Sequence, residues 1–497
     1  MSEDGSSILA KTAQGAGWVV AWRMITRTLG LLSTLVLVRL LLPADFGLVA
    51  LASSFATSIE AFSWIGIEEG VIRHREPTPA LYDTAFTISV LRGAAIGLLI
   101  AAAAYPGAVF FGEPRLLPVI IALGFTAFLE TLTNIGTVEF RRDFGFQKEF
   151  RLWLLPRILS IALAITLAAL FRTYWALIAG TVANQAFRVL FSYTMHPYRP
   201  RLRLQAWREL VGYSAWSSAI EGIQVIRSRV DTILIGRVLN ASMVGLYAVG
   251  YEIAELPVSE LISPLTRAAF PGFAAARRSE VELGQTWVRL VAATALLTLP
   301  AGIGMSAVAH PLIALAFGPG WERAVPVIQV LGFGFCFAVF GMVGQTLFMA
   351  QGQMRTNASI VLASLVVRVL LLVALIPQWG LAGAALAAAC GIATEQVFAA
   401  AFAMRSLRVS FKSDLVPQVW RCLLATAAMA AALWATGLGW QPVLGPAAMV
   451  AGETVIVGAA AYLLTLALLW LLAGRPAGPE ADLSALLLRA IRRPRPA

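Results

Sequence analysis

Long apolar runs recur along this chain from residue 16 to residue 472, and they constrain its fold more than any other feature. Crossing about 30 Å of hydrocarbon takes about 20 mostly apolar residues, at ~1.5 Å of helical rise each. Fourteen runs meet that requirement: 16–41, 47–66, 82–105, 116–138, 152–171, 174–195, 209–236, 243–265, 286–308, 325–349, 357–376, 381–403, 417–437 and 447–472. Inside lipid every backbone N–H and C=O must find a partner, so only helices or closed barrels span. Barrel strands alternate over about ten residues, and these runs are longer and uniformly apolar. The expected fold class is therefore an all-α polytopic membrane protein with about 14 transmembrane helices. Charged residues are 13% of the 497, and hydrophobic residues 59%. A soluble domain carries about 25% charge. Too little charge is present to coat soluble domains, which excludes a soluble enzyme and a disordered chain.

Basic residues set the orientation. With the N-terminus inside, the cytoplasmic segments carry Arg73 and Arg75, then Arg141, Arg142, Lys148 and Arg151, then Arg199, Arg201, Arg203 and Arg208. Arg405, Arg408 and Lys412 follow, and the tail is basic from Arg475 to Arg495. The opposite loops carry Arg115, Arg172 and Arg323. Both termini are expected in the cytoplasm. The net charge of +11 is thereby a matter of topology, and no nucleic-acid partner is expected. Two stretches are candidates to lie along the cytoplasmic membrane surface: Tyr198–Arg208, and the tail around Leu483–Arg493, where apolar and basic residues mix at helical spacing. The N-terminal stretch lacks a basic n-region and cleavage site, so the first run is expected to remain as a span.

The two halves repeat. Arg39-Leu-Leu-Leu-Pro-Ala-Asp-Phe-Gly47-Leu48 matches Arg237-Val-Leu-Asn-Ala-Ser-Met-Val-Gly245-Leu246. Pro118–Phe125 matches Pro326–Phe333, Phe111-Gly112 matches Phe317-Gly318, and Trp175-Ala-Leu177 matches Trp379-Gly-Leu381. Six spans per repeat give both halves the same orientation, which predicts a pseudo-two-fold axis along the membrane normal and a cavity between two bundles. The expected domains are a cytoplasmic N-terminus (1–15), an N-terminal six-helix bundle (16–197), a cytoplasmic linker (198–208), a C-terminal six-helix bundle (209–405), two additional helices (406–472) and a basic tail (473–497).

Catalytic and metal chemistry find little support. His74, His196 and His310 lie in a loop or beside prolines at span ends, with no triad or metal-ligand spacing. Cys336, Cys390 and Cys422 lie in apolar runs and read as packing residues. Lys11, Lys148 and Lys412 do not follow glycines, so no phosphate-binding loop of the Walker type exists. No cofactor, metal site or catalytic residue is expected. Trp64, Trp175, Trp321, Trp379 and Trp440 near span ends fit an interfacial aromatic belt, and Gly93 with Gly97 fits close helix packing.

Arg39–Leu48 resembles the signature of polysaccharide transporters. Gly66-Ile-Glu-Glu-Gly-Val-Ile-Arg73 and Phe140-Arg-Arg-Asp-Phe144 are similar to the same family. That family is the Wzx-type, more closely WzxC-like, oligosaccharide flippases of the multidrug/oligosaccharidyl-lipid/polysaccharide (MOP) superfamily. The resemblance covers about residues 10–440. It implies two six-helix bundles plus two C-terminal helices. It also implies export of undecaprenyl-pyrophosphate-linked oligosaccharide across the bacterial inner membrane for surface polysaccharide synthesis. A polysaccharide polymerase, export machinery and membrane lipids are the further partners it raises. Other readings are a multidrug antiporter or peptidoglycan-precursor flippase of the same superfamily, or an intramembrane sugar polymerase or ligase. A cation-exporting antiporter favours acidic and aromatic cavities, and a polymerase a large outer loop; neither pattern is present.

Charges within spans cost a few kcal/mol each and need a reason. Arg23 and Arg27, four apart, share one helix face, and Arg92 lies in the third span. Arg227, Arg229 and Asp231 occur in the seventh, Arg289 in the ninth, and Arg368 in the eleventh. A lipid pyrophosphate is anionic, and guanidinium offers it fork-shaped hydrogen bonds. Arg23, Arg27, Arg92, Arg227, Arg229 and Arg368 are therefore the candidate substrate-binding residues of a cationic cavity. The competing reading is ion pairing that orients helices, as between Arg227 and Asp231. Glu60, Glu221 and Asp231 are the candidates for coupling to H⁺ or Na⁺, with structural pairing again the competing reading. Glu130 and Glu395 are further charges inside spans.

Overall fold

The computed structural model of the protein describes residues 24–61, 77–143, 145–207, 214–275, 280–442, 445–476 and 478–481, together with positions 22, 67, 71, 72 and 74. Among them all regular structure is helical. In chain order the helices are α1 (24–40), α2 (Pro43–Ala61), α3 (Pro79–Phe111), α4 (Leu116–Thr131), α5 (Val138–Arg142), α6 (Phe146–Phe171) and α7 (Trp175–Met195). They continue as α8 (Ser214–Val238), α9 (Ala241–Ala275), α10 (Glu280–Ala316), α11 (Val325–Phe335), α12 (Ala338–Gln351), α13 (Met354–Ser406), α14 (Val416–Ala435) and α15 (Ala447–Leu472). Helical residues occur in each of the fourteen predicted runs. Among the described residues, six helices are each long and apolar enough to cross a membrane, and two bent pairs qualify when taken together. The 53-residue α13 is too long for one crossing, and Gly380 breaks it with φ 55° and ψ −128°, at the gap predicted between two spans. The chain is an all-helical, multi-pass membrane protein.

Two compact units emerge, residues 1–245 and 246–497. In the first, α3 packs along α4, α6 along α7, and α2 against α4 and α8. Small residues let these helices approach, as expected where lipid supplies no hydrophobic drive between helices. A Cβ on Gly93 would lie 2.2 Å from Thr131 Oγ1, and one on Gly97 2.8 Å from the Gly124 carbonyl oxygen. The Gly93/Gly97 pair is thus a packing face. In the second unit α10 packs on α11, α12, α14 and α15, and α13 covers α11 and α12. A Cβ on Gly302 would meet the Gly332 carbonyl at 2.7 Å. Gly332 is the repeat mate of Gly124, so both units cross equivalent helices on a glycine pair.

Other repeat mates behave alike. Gly112 and Gly318 both end their helices with left-handed backbone, φ 65° and 85°. The Leu116–Thr131 and Ile135–Arg142 segments meet at 64°, and their counterparts Glu322–Phe335 and Ala338–Met349 at 55°. Within the first unit the repeat mates Gly47 and Gly245 touch. A Cβ on Gly47 would fall 1.6 Å from the Ala241 carbonyl oxygen, and one on Gly245 2.0 Å from that of Pro43. Pro43 and Ala241 are themselves repeat mates, so the contact is symmetric.

The segment 197–206 does not form a surface helix. It runs extended along the start of α3 because the α3 side chains offer acceptors to its backbone. The Arg201, Arg203 and Ala206 N–H groups donate to Asp83, Thr87 and Thr84 at 2.8, 2.8 and 3.1 Å, and the Tyr198 hydroxyl donates to Asp83 at 2.7 Å. Burial and the Asp83 carboxylate push the Tyr198 phenol above its ordinary range. Trp321 also departs from the belt reading: it is buried against Phe317, their rings 5.6 Å apart, within a packed loop. Trp175 and Trp379 are exposed, as a belt requires. Cys336 and Cys422 are buried in the core of the second unit. Trp64 and the tail beyond residue 481 lie outside the described residues, as does most of Gly66–Arg73.

Among the described residues of the second unit is a buried ion pair that sequence reading did not single out. Arg421 Nε donates to Glu480 Oε1 at 2.7 Å and a terminal nitrogen to Oε2 at 3.2 Å, with both side chains near 5% exposed. This fork ties the segment after α15 to α14. Removing one partner strands a buried charge, which costs about 3–5 kcal/mol. Glu480→Ala is therefore expected to lower the melting temperature in detergent markedly, and an Arg421→Met/Glu480→Met double variant to recover most of it.

Candidate functional site

The fourth predicted span is interrupted, and the interruption builds a cavity. After α4 the chain turns at Leu132–Asn134 and restarts as a short helical segment. Asn134 is fully buried and holds the turn. Its amide nitrogen Nδ2 donates to the Tyr198 carbonyl at 2.7 Å, its Oδ1 accepts the Gly136 N–H at 3.0 Å, and its own N–H donates to the Ser192 hydroxyl at 3.0 Å. Broken helices are tolerated in membranes where they line a cavity.

The cavity is about 260 Å³ and its lining includes Arg92 on α3, Glu130 on α4, Thr133 and Asn134 at the break, Arg141 on α5, Trp153 on α6 and Arg188 on α7. The Arg188 guanidinium stacks on the Trp153 ring, 3.6 Å from its centroid, and sits 3.8 Å from Glu130 Oε1. Stacking with a flanking carboxylate fixes the plane of the guanidinium. Trp153 is braced in turn by Trp22, with ring centroids 5.9 Å apart. Arg141 pairs with Glu149. The Thr133 hydroxyl is buried without a hydrogen-bond partner among the described residues and lines the same space. The lining therefore holds three arginines against one glutamate.

Of the predicted site residues, Arg92 lines this cavity. Glu60, at the end of α2, lies within electrostatic reach of Arg92 and Glu130. Arg27 is half-buried on α1, outside the lining. On α8, Arg227 and Arg229 are half-buried and Asp231 is buried; Arg229 Nε has no hydrogen-bond partner among the described residues. Arg368 belongs to the second unit, where its stem packs on Gly391, one turn from the buried Glu395. Glu395 accepts from Gln345 Nε2 at 2.9 Å and from the Ser364 hydroxyl at 3.2 Å. Arg289 is exposed on a separate groove. Arg23 and the Glu221 side chain lie outside the described residues.

A family model described as "Polysaccharide biosynthesis protein" matches residues 36–326, more than half of the chain. The chain belongs to the polysaccharide biosynthesis protein family. Within this family it is 26% identical over 337 residues to the lipopolysaccharide biosynthesis protein WzxC of Escherichia coli (strain K12), covering 65% of this chain and 67% of that one. It is 24% identical over 331 residues to the succinoglycan biosynthesis transport protein ExoT of Rhizobium meliloti (strain 1021), covering 65% and 66%. The chain matches about two thirds of the length of these relatives. Its fold is that of the lipid II flippase MurJ in an inward closed conformation, with TM-score 0.71 at 12% identity over 91% of this chain and 98% of that one. A multidrug resistance MATE family transporter of the MOP superfamily follows at TM-score 0.56, with 15% identity over 78% and 96%. The MOP-type fold implied by the sequence resemblance is the fold observed.

Reading this family member from sequence missed Arg188, Arg141 and Trp153 as neighbours of Arg92. The signal for Arg188 was present: it is the one charged residue between Trp175 and Met195. The helix break falls inside the stretch 116–138, which reads as one span by length and composition.

Proposed function

We propose that this protein flips polyprenyl-pyrophosphate-linked oligosaccharides across the bacterial inner membrane for surface polysaccharide synthesis. The observation that carries the reading is the arginine-rich cavity in the first unit, inside a chain of the polysaccharide biosynthesis family. Arg92 and Arg188 hold the pyrophosphate, the Arg188–Trp153 stack sets its orientation, and the polyprenyl tail stays in lipid. Guanidinium suits this task because it stays charged in a poorly solvated site and binds two phosphate oxygens at once. The fourteen-span topology, with both termini in the cytoplasm and a six-helix bundle on each side of residues 198–208, belongs to the same proposal. So does alternating access, in which the two bundles rock around the bound headgroup. Arg23, Arg27, Arg227, Arg229 and Arg368 then extend the cationic path, and Glu60, Glu221 or Asp231 takes up the coupling ion.

The test is the lipid extract of a deletion strain. Complete lipid-linked oligosaccharide units accumulate, by mass spectrometry, while surface glycan is lost. Accumulated peptidoglycan precursor instead would favour the rival flippase reading. Normal surface glycan with no accumulated intermediate would overturn the proposal.

A further inference from the structure

A second groove lies in unit 246–497, about 560 Å³ in volume, and is separate from the cavity around Arg92. Its walls are the start of α10 and the turn between α13 and α14. Gly284 brings the two together: a Cβ there would lie 3.1 Å from Val409 Cγ2, so a larger residue would hold the turn away. The result sets Arg289 of α10 and Arg408 of the turn along one groove, with Gln285, Ser413, Asp414 and Gln418. Both arginines are exposed, and neither side chain has a hydrogen-bonding or ionic partner among the described residues. The one carboxylate is already engaged by its own turn. Asp414 accepts the Ser410 N–H at 2.7 Å and the Ser413 hydroxyl at 3.1 Å. The groove thus offers two guanidinium groups against one carboxylate that its own turn engages.

Two further observations indicate what would fill it. Arg408 has left-handed backbone, φ 53°, a conformation that costs a non-glycine residue of order 1 kcal/mol. A glycine would be easier there, and the side chain is what the position gains from arginine. Beside the groove, Phe411 and Val416 are exposed at 56% and 38%. A cationic groove rimmed by apolar side chains, where apolar helices begin, has the chemistry that a phospholipid headgroup would meet, and basic residues at that level favour anionic headgroups.

We propose that this groove binds the phosphate of an anionic phospholipid, such as phosphatidylglycerol, from the cytoplasmic leaflet. Arg289 and Arg408 clamp the phosphodiester from two sides, and Phe411 with Val416 meets the upper acyl chains. The site is distinct from the one proposed for flipping, so variants at Arg92 leave it intact.

The experiment is native mass spectrometry of the full chain, purified from liposomes containing phosphatidylglycerol and phosphatidylethanolamine. Wild type is expected to retain one phosphatidylglycerol in preference to phosphatidylethanolamine. Loss of each charged hydrogen-bond partner weakens retention about tenfold. Arg408→Gly is the informative variant, because it removes the guanidinium while relaxing the backbone, so retention falls as melting temperature holds or rises. Arg289→Gln is expected to act in the same direction. Unchanged phosphatidylglycerol retention in the Arg289→Gln/Arg408→Gly double variant overturns the proposal. Displacement of the lipid by millimolar inorganic phosphate or glycerol phosphate would also overturn it, by showing a site for soluble anions.

Discussion

Replacing Arg92 and Arg188 together with alanine is expected to reduce oligosaccharide flipping at least about a hundredfold, with the folded protein still recoverable from membranes. Each guanidinium in contact with phosphate is worth about 1.5–3 kcal/mol, or roughly tenfold to a hundredfold in affinity. Arg188→Lys separates charge from shape. It keeps the charge, but a lysine neither stacks on Trp153 at 3.6 Å nor presents two parallel N–H groups, so an intermediate loss is expected. Trp153→Ala should weaken flipping through the same stack while leaving the cavity charge unchanged. Glycan assembly in a deletion strain carrying each variant, with protein level measured in parallel, reads the effect. Near-normal assembly in the double alanine variant would remove this cavity from the transport path.

The second large effect concerns the contact of repeat mates Gly47 and Gly245. Gly47→Ala places a methyl group 1.6 Å from the Ala241 carbonyl oxygen, an atom of helix backbone that no side-chain rotation can move. Overpacking usually costs about 1–3 kcal/mol, and a clash with rigid backbone exceeds that range. Gly47→Ala and Gly245→Ala are each expected to abolish monodisperse protein or lower its melting temperature far more than Gly304→Ala, where nothing lies within 4 Å. Equal melting temperatures for Gly47→Ala and Gly304→Ala would show that Gly47 and the 241–245 backbone do not approach this closely.

How much of this was legible follows from what each feature depends on. The helices were, because apolar length is a local property and the spans carry it. The repeat was legible too, through Gly47/Gly245 and Gly124/Gly332, since close backbone approach leaves a glycine in both halves. The glycine pairing of Gly97 with Gly124 was not, because a contact between helices has no signature in either helix alone. Trp321 was read as interfacial from its place at a span end; the loop folds over it and buries it. The site was legible at Arg92 and at Glu130, both charges inside predicted spans. Arg141 reaches it because the chain turns at Asn134, and that turn is held by hydrogen bonds to Ser192 and Tyr198, about sixty residues away, while Arg188 comes from α7. Charges within spans marked where to look, while partners across helices decided which charges meet.

The most direct test of the central claim is translocation by the purified full-length protein in proteoliposomes. The substrate is lipid-linked oligosaccharide extracted from the deletion strain, and access of its sugar to an external glycan-modifying enzyme is followed over time. The account predicts that the pool accessible from outside changes with time in liposomes holding wild type and stays at the protein-free level with the Arg92→Ala/Arg188→Ala variant. Equal exposure in wild-type and protein-free liposomes, with correctly folded protein and an imposed H⁺ or Na⁺ gradient, would contradict it.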